Sequence, residues 1–180
     1  HYRNWKVKDR RFDLRARISM IASQRWCEIE LHLKPLDGGT FPEFVAALVK
    51  HPDTTLIQDA AVGVLGSWGL QALGAGQSTM SSHLGLGLVL SPETIVHLGE
   101  DADNSYARLR GKATVLEAPG SGASETVVRY RIHASWIEEV GGADSVRAYE
   151  ILLRQLARIS SVQKEMAFFQ PVSPHQGRME

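Results

Sequence analysis

Phe12-Asp13-Leu14-Arg15-Ala16-Arg17-Ile18-Ser19-Met20 alternates apolar and polar residues without a break. Successive side chains of an extended chain point to opposite faces, so a period of two predicts a half-buried strand with Phe12, Leu14, Ala16, Ile18 and Met20 inward. Residues 25–34 repeat the pattern, with Cys27, Ile29, Leu31 and Leu33 on one side and Glu28, Glu30, His32 and Lys34 on the other. Pro35 and the glycines that follow supply turn chemistry, and the two strands are expected to pair as a hairpin.

The same reasoning extends along the chain. Thr40 can cap a segment whose Pro42 suits a first helical turn and which Pro52 would stop. Phe44, Val45, Leu48 and Val49 recur there at helical spacing, which predicts a short helix over 41–50. Residues 54–90 hold seven glycines between positions 63 and 87 and no charged residue after Asp59. Their first part admits two readings: a helix through Ile57, Ala61, Val64, Leu65, Trp68 and Ala72, or a strand followed by a loop. In residues 83–90, Gly85 and Gly87 alternate with Leu84, Leu86, Leu88 and Leu90, which predicts a strand whose second face is bare and open to close approach.

Further strands are expected over 94–98, 106–117 and 125–138, the last two joined by a hairpin loop over 119–123. Gly141-Gly142 then breaks the chain, and Asp144 or Ser145 can cap a helix reaching Met166 with Val146, Tyr149, Leu152, Leu153, Leu156 and Ile159 as its apolar stripe. The expected fold class is α+β: a mainly antiparallel sheet of about five to seven strands packed by a short helix and a long C-terminal helix. Residues 1–167 would form one domain and 168–180 a flexible tail.

Composition narrows the function classes. Of 180 residues 43% are hydrophobic and 22% charged, and 20 basic residues balance 20 acidic ones, so neither disorder nor a global attraction to polyanions is indicated. A single cysteine, Cys27, excludes an internal disulfide framework and points to a reducing, cytoplasmic setting. The basic start of the chain also suits a segment that follows a membrane span on its cytoplasmic side; such a span would lie upstream of His1 and not in this chain.

No cofactor, metal site or catalytic residue is indicated. Gly74-Ala75-Gly76-Gln77-Ser78-Thr79 has the glycines of a phosphate-binding loop, but Gln77 stands where lysine must reach the phosphates. Leu73-Gly74-Ala75-Gly76-Gln77-Ser78-Thr79-Met80-Ser81-Ser82-His83-Leu84 is similar to the turn and recognition helix of bacterial helix-turn-helix repressors, which would imply DNA contact by a helix here. Gly66 and Gly69 interrupt the segment before it, and no basic residue lies nearby to meet phosphates. His32, His97 and His133 fall on expected strands, where folding can bring them near Glu28, Glu30 or Asp101, but no nucleophile and base share a motif.

Three readings follow. The first is a non-catalytic binding or assembly module, a homo-oligomer that self-associates through the uncharged region, with Trp68, Leu70, Leu86 and Leu88 at the contact. The second is a sensor or carrier of a small apolar molecule, held between helix and sheet by Leu109, Val115, Tyr130, Ile132 and Trp136. The third is a regulatory or accessory domain for an anionic partner, nucleic acid or acidic lipid. Arg15, Arg17, Arg108, Arg110, Lys112, Arg129 and Arg131 alternate outward and would form its cationic face; Glu28, Glu30 and Glu125 are available as cross-strand partners for them.

Overall fold

The computed structural model describes residues 1–38, 41–72, 81–115 and 124–167. Eleven strands, β1 (Tyr2–Val7), β2 (Arg10–Met20), β3 (Trp26–Pro35), β4 (Phe44–Val49), β5 (Thr54–Asp59), β6 (Val64–Ala72), β7 (Ser81–Leu90), β8 (Ile95–Glu100), β9 (Asn104–Leu109), β10 (Lys112–Val115) and β11 (Ser124–Trp136), precede one helix, α1 (Val146–Ala167). All the pairings are antiparallel. An eight-stranded sheet runs β1-β2-β3-β11-β7-β6-β5, with β10 also on β11, and a small sheet runs β4-β9-β8.

The expected α+β sandwich is therefore corrected: the chain is largely sheet, in two layers, and the short helix over 41–50 is strand β4. Phe44, Ala46 and Leu48 face inward at period two, but Val45, Ala47 and Val49 on the other side are apolar as well. With no polar face to mark the period, helical and extended spacing look alike in sequence, and pairing with β9 decides between them. Of the two readings of 54–72 the helix is not formed, and the strand-and-loop reading is extended to a hairpin of β5 and β6. Asp59 Oδ1 accepts from the backbone N–H of Ala61 and Val62, and Gly63 takes φ +82° where a Cβ would stand 2.2 Å from the Leu90 carbonyl oxygen.

The small sheet covers part of one face of the large one, and Leu65, Leu88, Leu90 and Val128 meet Ala46, Leu48, Ala107 and Leu109 in a hydrophobic core between them. The opposite face of β6 and β7 receives α1. Here Gly66, Gly85 and Gly87 leave a trough: a Cβ at Gly85 would lie 2.6 Å from the Tyr149 ring, and one at Gly87 2.6 Å from a Leu153 methyl. Tyr149 and Leu153, both fully buried, fill it, so the bare face expected for 83–90 is occupied from within the chain. Ser145 Oγ caps the helix by accepting from Ala148 N–H at 3.2 Å.

The long strand expected over 106–117 is divided. β9 belongs to the small sheet and β10 to the large one, and the chain crosses between them at Arg110-Gly111. A Cβ at Gly111 would meet Thr126 Cγ2 at 2.0 Å, so glycine permits the close crossing. The expected loop over 119–123, the glycine-rich stretch 73–80 and the tail 168–180 lie outside the described residues, while Ser81-Ser82-His83-Leu84 are extended in β7 rather than helical. Among the described residues no helix is long and apolar enough to cross a membrane.

Candidate anion-binding face

Because α1 packs on β6 and β7, the part of that face formed by β2, β3 and the first half of β11 lies beside the helix and is not covered by it. The alternation that turns Leu14, Leu31 and Val128 to the side of the sheet on which the small sheet lies turns the intervening residues to this face. Register aligns them in rungs: Arg17 opposite Glu30 opposite Arg129, Ser19 opposite Glu28 opposite Arg131, and Arg15 opposite His32. Directly opposed residues in an antiparallel sheet share a face, so the rungs place alternating charges side by side.

His32 holds the centre. Its Nε2 lies 2.6 Å from Glu30 Oε1 and its Nδ1 2.7 Å from Glu125 Oε1, so whichever ring nitrogen carries the proton has an acceptor beside it. Arg15 approaches the same imidazole, its Nη2 3.1 Å from Nδ1, and lies 3.9 Å from Glu125. Arg129 Nε donates to Glu30 Oε2, and Arg17 Nη1 stands 3.7 Å from Oε1 of the same carboxylate. The hydrogen bond from His32, and then Arg129, hold the Glu30 carboxyl well below the usual carboxylate range, at about 2. Arg131 bonds Glu28 at 3.3 Å and lays its guanidinium 4.3 Å from the Trp26 ring centroid.

The exposures separate two layers. Glu30, His32 and Glu125 side chains are each 13% exposed, whereas those of Arg15, Arg17 and Arg129 are 60%, 67% and 60% exposed. A half-buried floor of carboxylates and imidazole thus carries guanidiniums that reach into solvent. Four guanidiniums face three carboxylates, and those of Arg15, Arg17 and Arg129 each have five N–H donors, more than these contacts use.

Of the remaining cationic residues of the expected face, Arg108 and Arg110 lie elsewhere, and Lys112, opposite Val127 in the rung of Arg15 and His32, stands at its margin. Arg108 is in the small sheet, where its Nε and Nη2 bond Glu43 at 2.9 and 2.7 Å. Arg110 stands at the crossing, 3.9 Å from the same Glu43, and Lys112 Nζ bonds Glu93 at 3.0 Å. The expected face is therefore cut at the crossing at Arg110-Gly111, which sends Arg108 to the small sheet, while Lys112 stays on the large sheet with its Nζ held by Glu93.

The other two groups separate as well. Leu109 is fully buried, and Tyr130 and Ile132 pack with it between the two sheets, on the side away from α1. Trp136 is 42% exposed and Val115 ends β10 opposite Ser124, so these five do not line one cavity beneath the helix. Trp68 and Leu88 are enclosed within the chain, and Leu70 and Leu86 are half-buried. His97 meets only the Tyr106 ring among the aromatic contacts, and His133 is buried against Tyr149. Trp26 was not singled out in the sequence, although its place two residues before Glu28 on an alternating strand puts it on the same face. Among the described residues no three histidine, cysteine or acidic side chains are arranged to hold a metal ion.

The family model described as "Domain of unknown function (DUF4861)" matches residues 1–163. No curated protein and no solved structure matches the chain.

Proposed function

We propose, for a chain that belongs to the DUF4861 family of domains of unknown function, the role of a binding module that takes an anionic ligand beside α1, on the outward guanidiniums of Arg15, Arg17 and Arg129. The observation that carries this reading is the layering: arginines more than half exposed, held upright by a half-buried Glu30, His32 and Glu125. Fixing a long cationic side chain costs rotamer entropy, and carboxylates beneath the guanidiniums meet that cost before a ligand arrives. A carboxylate, sulfate or phosphate group can then accept from the N–H groups that remain, in the forked geometry that arginine offers.

This reading is preferred to self-association through the uncharged, glycine-rich region because Trp68 and Leu88, two of the four residues expected at that contact, are enclosed by α1 and the small sheet, and Leu70 and Leu86 are half-buried. A cytoplasmic setting belongs to the same proposal and rests on the single cysteine. The test is chromatography on heparin at low salt. The chain is expected to be retained and to elute as salt screens the contact, and an Arg17→Gln, Arg129→Gln double variant is expected to flow through with a little-changed melting temperature. An Arg108→Gln, Arg110→Gln variant, altered on the other sheet and at the crossing, is expected to bind as the wild type does. Flow-through of the wild type, or equal retention of both variants, would overturn the reading.

A further inference from the structure

The outer strands of the two sheets are not protected alike. β1 carries Arg3 and Lys6 and an irregularity between Tyr2 and Trp5; β8 carries His97 and Glu100 and a shift between Ile95 and His97; β5 carries Asp59 among threonines and Gln58. Charges and bulges on outer strands prevent unwanted pairing. β4, the outer strand of the small sheet on the side away from β8, reads Phe44-Val45-Ala46-Ala47-Leu48-Val49 and has neither. Val45 and Val49 are 64% and 60% exposed on its outer face.

Among the described residues the small sheet ends at β4, and the large sheet continues beyond it. β4 packs towards β7, so β11, β3, β2 and β1 extend past it, and a cleft of about 660 Å³ opens there. Its floor is Phe12, Leu14, Leu31 and Leu33, and its walls are Phe44 of β4 and Trp5 of β1. Phe12 and Leu33 in that floor are each 2% exposed, and on the same face of β2 Ile18 and Met20 stand 67% and 75% exposed.

From these observations we infer that β4 and the cleft form a docking site for an extended peptide segment of another polypeptide, added to the small sheet as its next strand. The segment pairs its backbone with the outer edge of β4, and every second side chain, apolar and small to medium in size, enters the cleft. An edge to which no strand is paired among the described residues, next to an apolar floor, selects a strand over a small apolar molecule, because only a strand satisfies both. A second copy of this chain joined β4 to β4 does not fit. The two-fold axis of such an antiparallel pair stands perpendicular to the sheet, and it would bring the partner's eight-stranded sheet into the volume held by β1, β2 and β3.

The test uses the chain as it stands and an end-blocked peptide, Thr-Val-Thr-Val-Thr-Val-Thr, with backbone amide exchange read residue by residue. Saturable binding is expected, with exchange slowed in β4 and unchanged in β5 and β8. Leu14→Glu, which sets a charge on the cleft floor at a half-buried position, is expected to weaken binding by about tenfold or more while leaving exchange in the buried core intact. A peptide with aspartate in place of the valines is expected not to bind. No saturable binding, slowing spread equally over all outer strands, indifference to Leu14→Glu, or a dimer formed through β4 would each overturn the inference.

Discussion

Leu153→Ala is expected to lower unfolding free energy by about 3 to 5 kcal/mol, the upper part of the range for a leucine removed from a core. The side chain is fully buried, and it fills the trough that the glycines of β6 and β7 leave under α1, where strand backbone cannot move in to close the void. Gly87→Ala attacks the same contact from the other side. Its Cβ would stand 2.6 and 2.9 Å from the two Leu153 methyls and 2.9 Å from the Tyr149 hydroxyl, and overpacking of this kind costs about 1 to 3 kcal/mol. The double variant should lose less than the sum of the two, by about 1 kcal/mol or more, because the methyl introduced occupies space that the leucine vacates. Urea denaturation of the four proteins measures this cycle, and strict additivity would show that α1 does not rest on Gly87. Leu156→Ala should cost less than Leu153→Ala, since Leu156 is only partly buried.

A second large effect is expected from acid. His133 is 2% exposed and lies beneath Tyr149, whose hydroxyl donates to the His133 carbonyl oxygen at 3.3 Å and stands 3.2 Å from Nδ1. Burial, and then the charge of Arg25, push its pKa down from 6.5 to about 4, with Glu139 opposing. The folded state therefore keeps the ring neutral while the unfolded state protonates it. Its contribution is fully present above pH 6.5 and is lost as pH falls towards 4, by about 1.4 kcal/mol per pH unit and about 3 kcal/mol over the window. Glu30 also has a lowered pKa, but its stabilisation is lost only as pH falls from 4.5 towards 2. Urea midpoints of the wild type measured from pH 7.5 to pH 4.5 should thus fall steeply, and those of His133→Asn, whose amide does not titrate, should fall much less. Parallel curves would show that the acid response arises elsewhere.

These two cases also show what the sequence made legible. The hairpin of β2 and β3 and the long strand β11 were visible because each has one apolar and one polar face, and that contrast is what period two detects. Strands β4, β5 and β6 were obscured for the opposite reason. Residues packed on both faces, or apolar on both, carry no contrast, and the glycines that admit α1 look like loop formers in sequence. The candidate face was legible in its rungs, since Arg15, Arg17, Glu28, Glu30 and His32 follow from one hairpin. Its completion by Glu125, Arg129 and Arg131 depends on β11 lying beside β3, a pairing about a hundred residues away in sequence that no local pattern encodes. The loss of Arg108 and Arg110 from that face turns on a single crossing at Gly111, which spacing alone does not announce.

That placement of β11 bears on how the chain comes together. One block of strands, β1 to β3, and another, β5 to β7, can each zip up from neighbouring hairpins as they leave the ribosome, yet they meet only through β11, paired to β3 on one side and to β7 on the other. Until residue 136 has been made, the central edges of both blocks stand open, Leu84, Leu86 and Leu88 on one and Ile29, Leu31 and Leu33 on the other. Closure of the sheet is then a late and non-local event, and it is slow in the way that such β-topologies are slow. A nascent chain stalled before Ser124 would hold two half-sheets with unsatisfied edges, which are surfaces that chaperones recognise and that aggregate when chaperones are scarce.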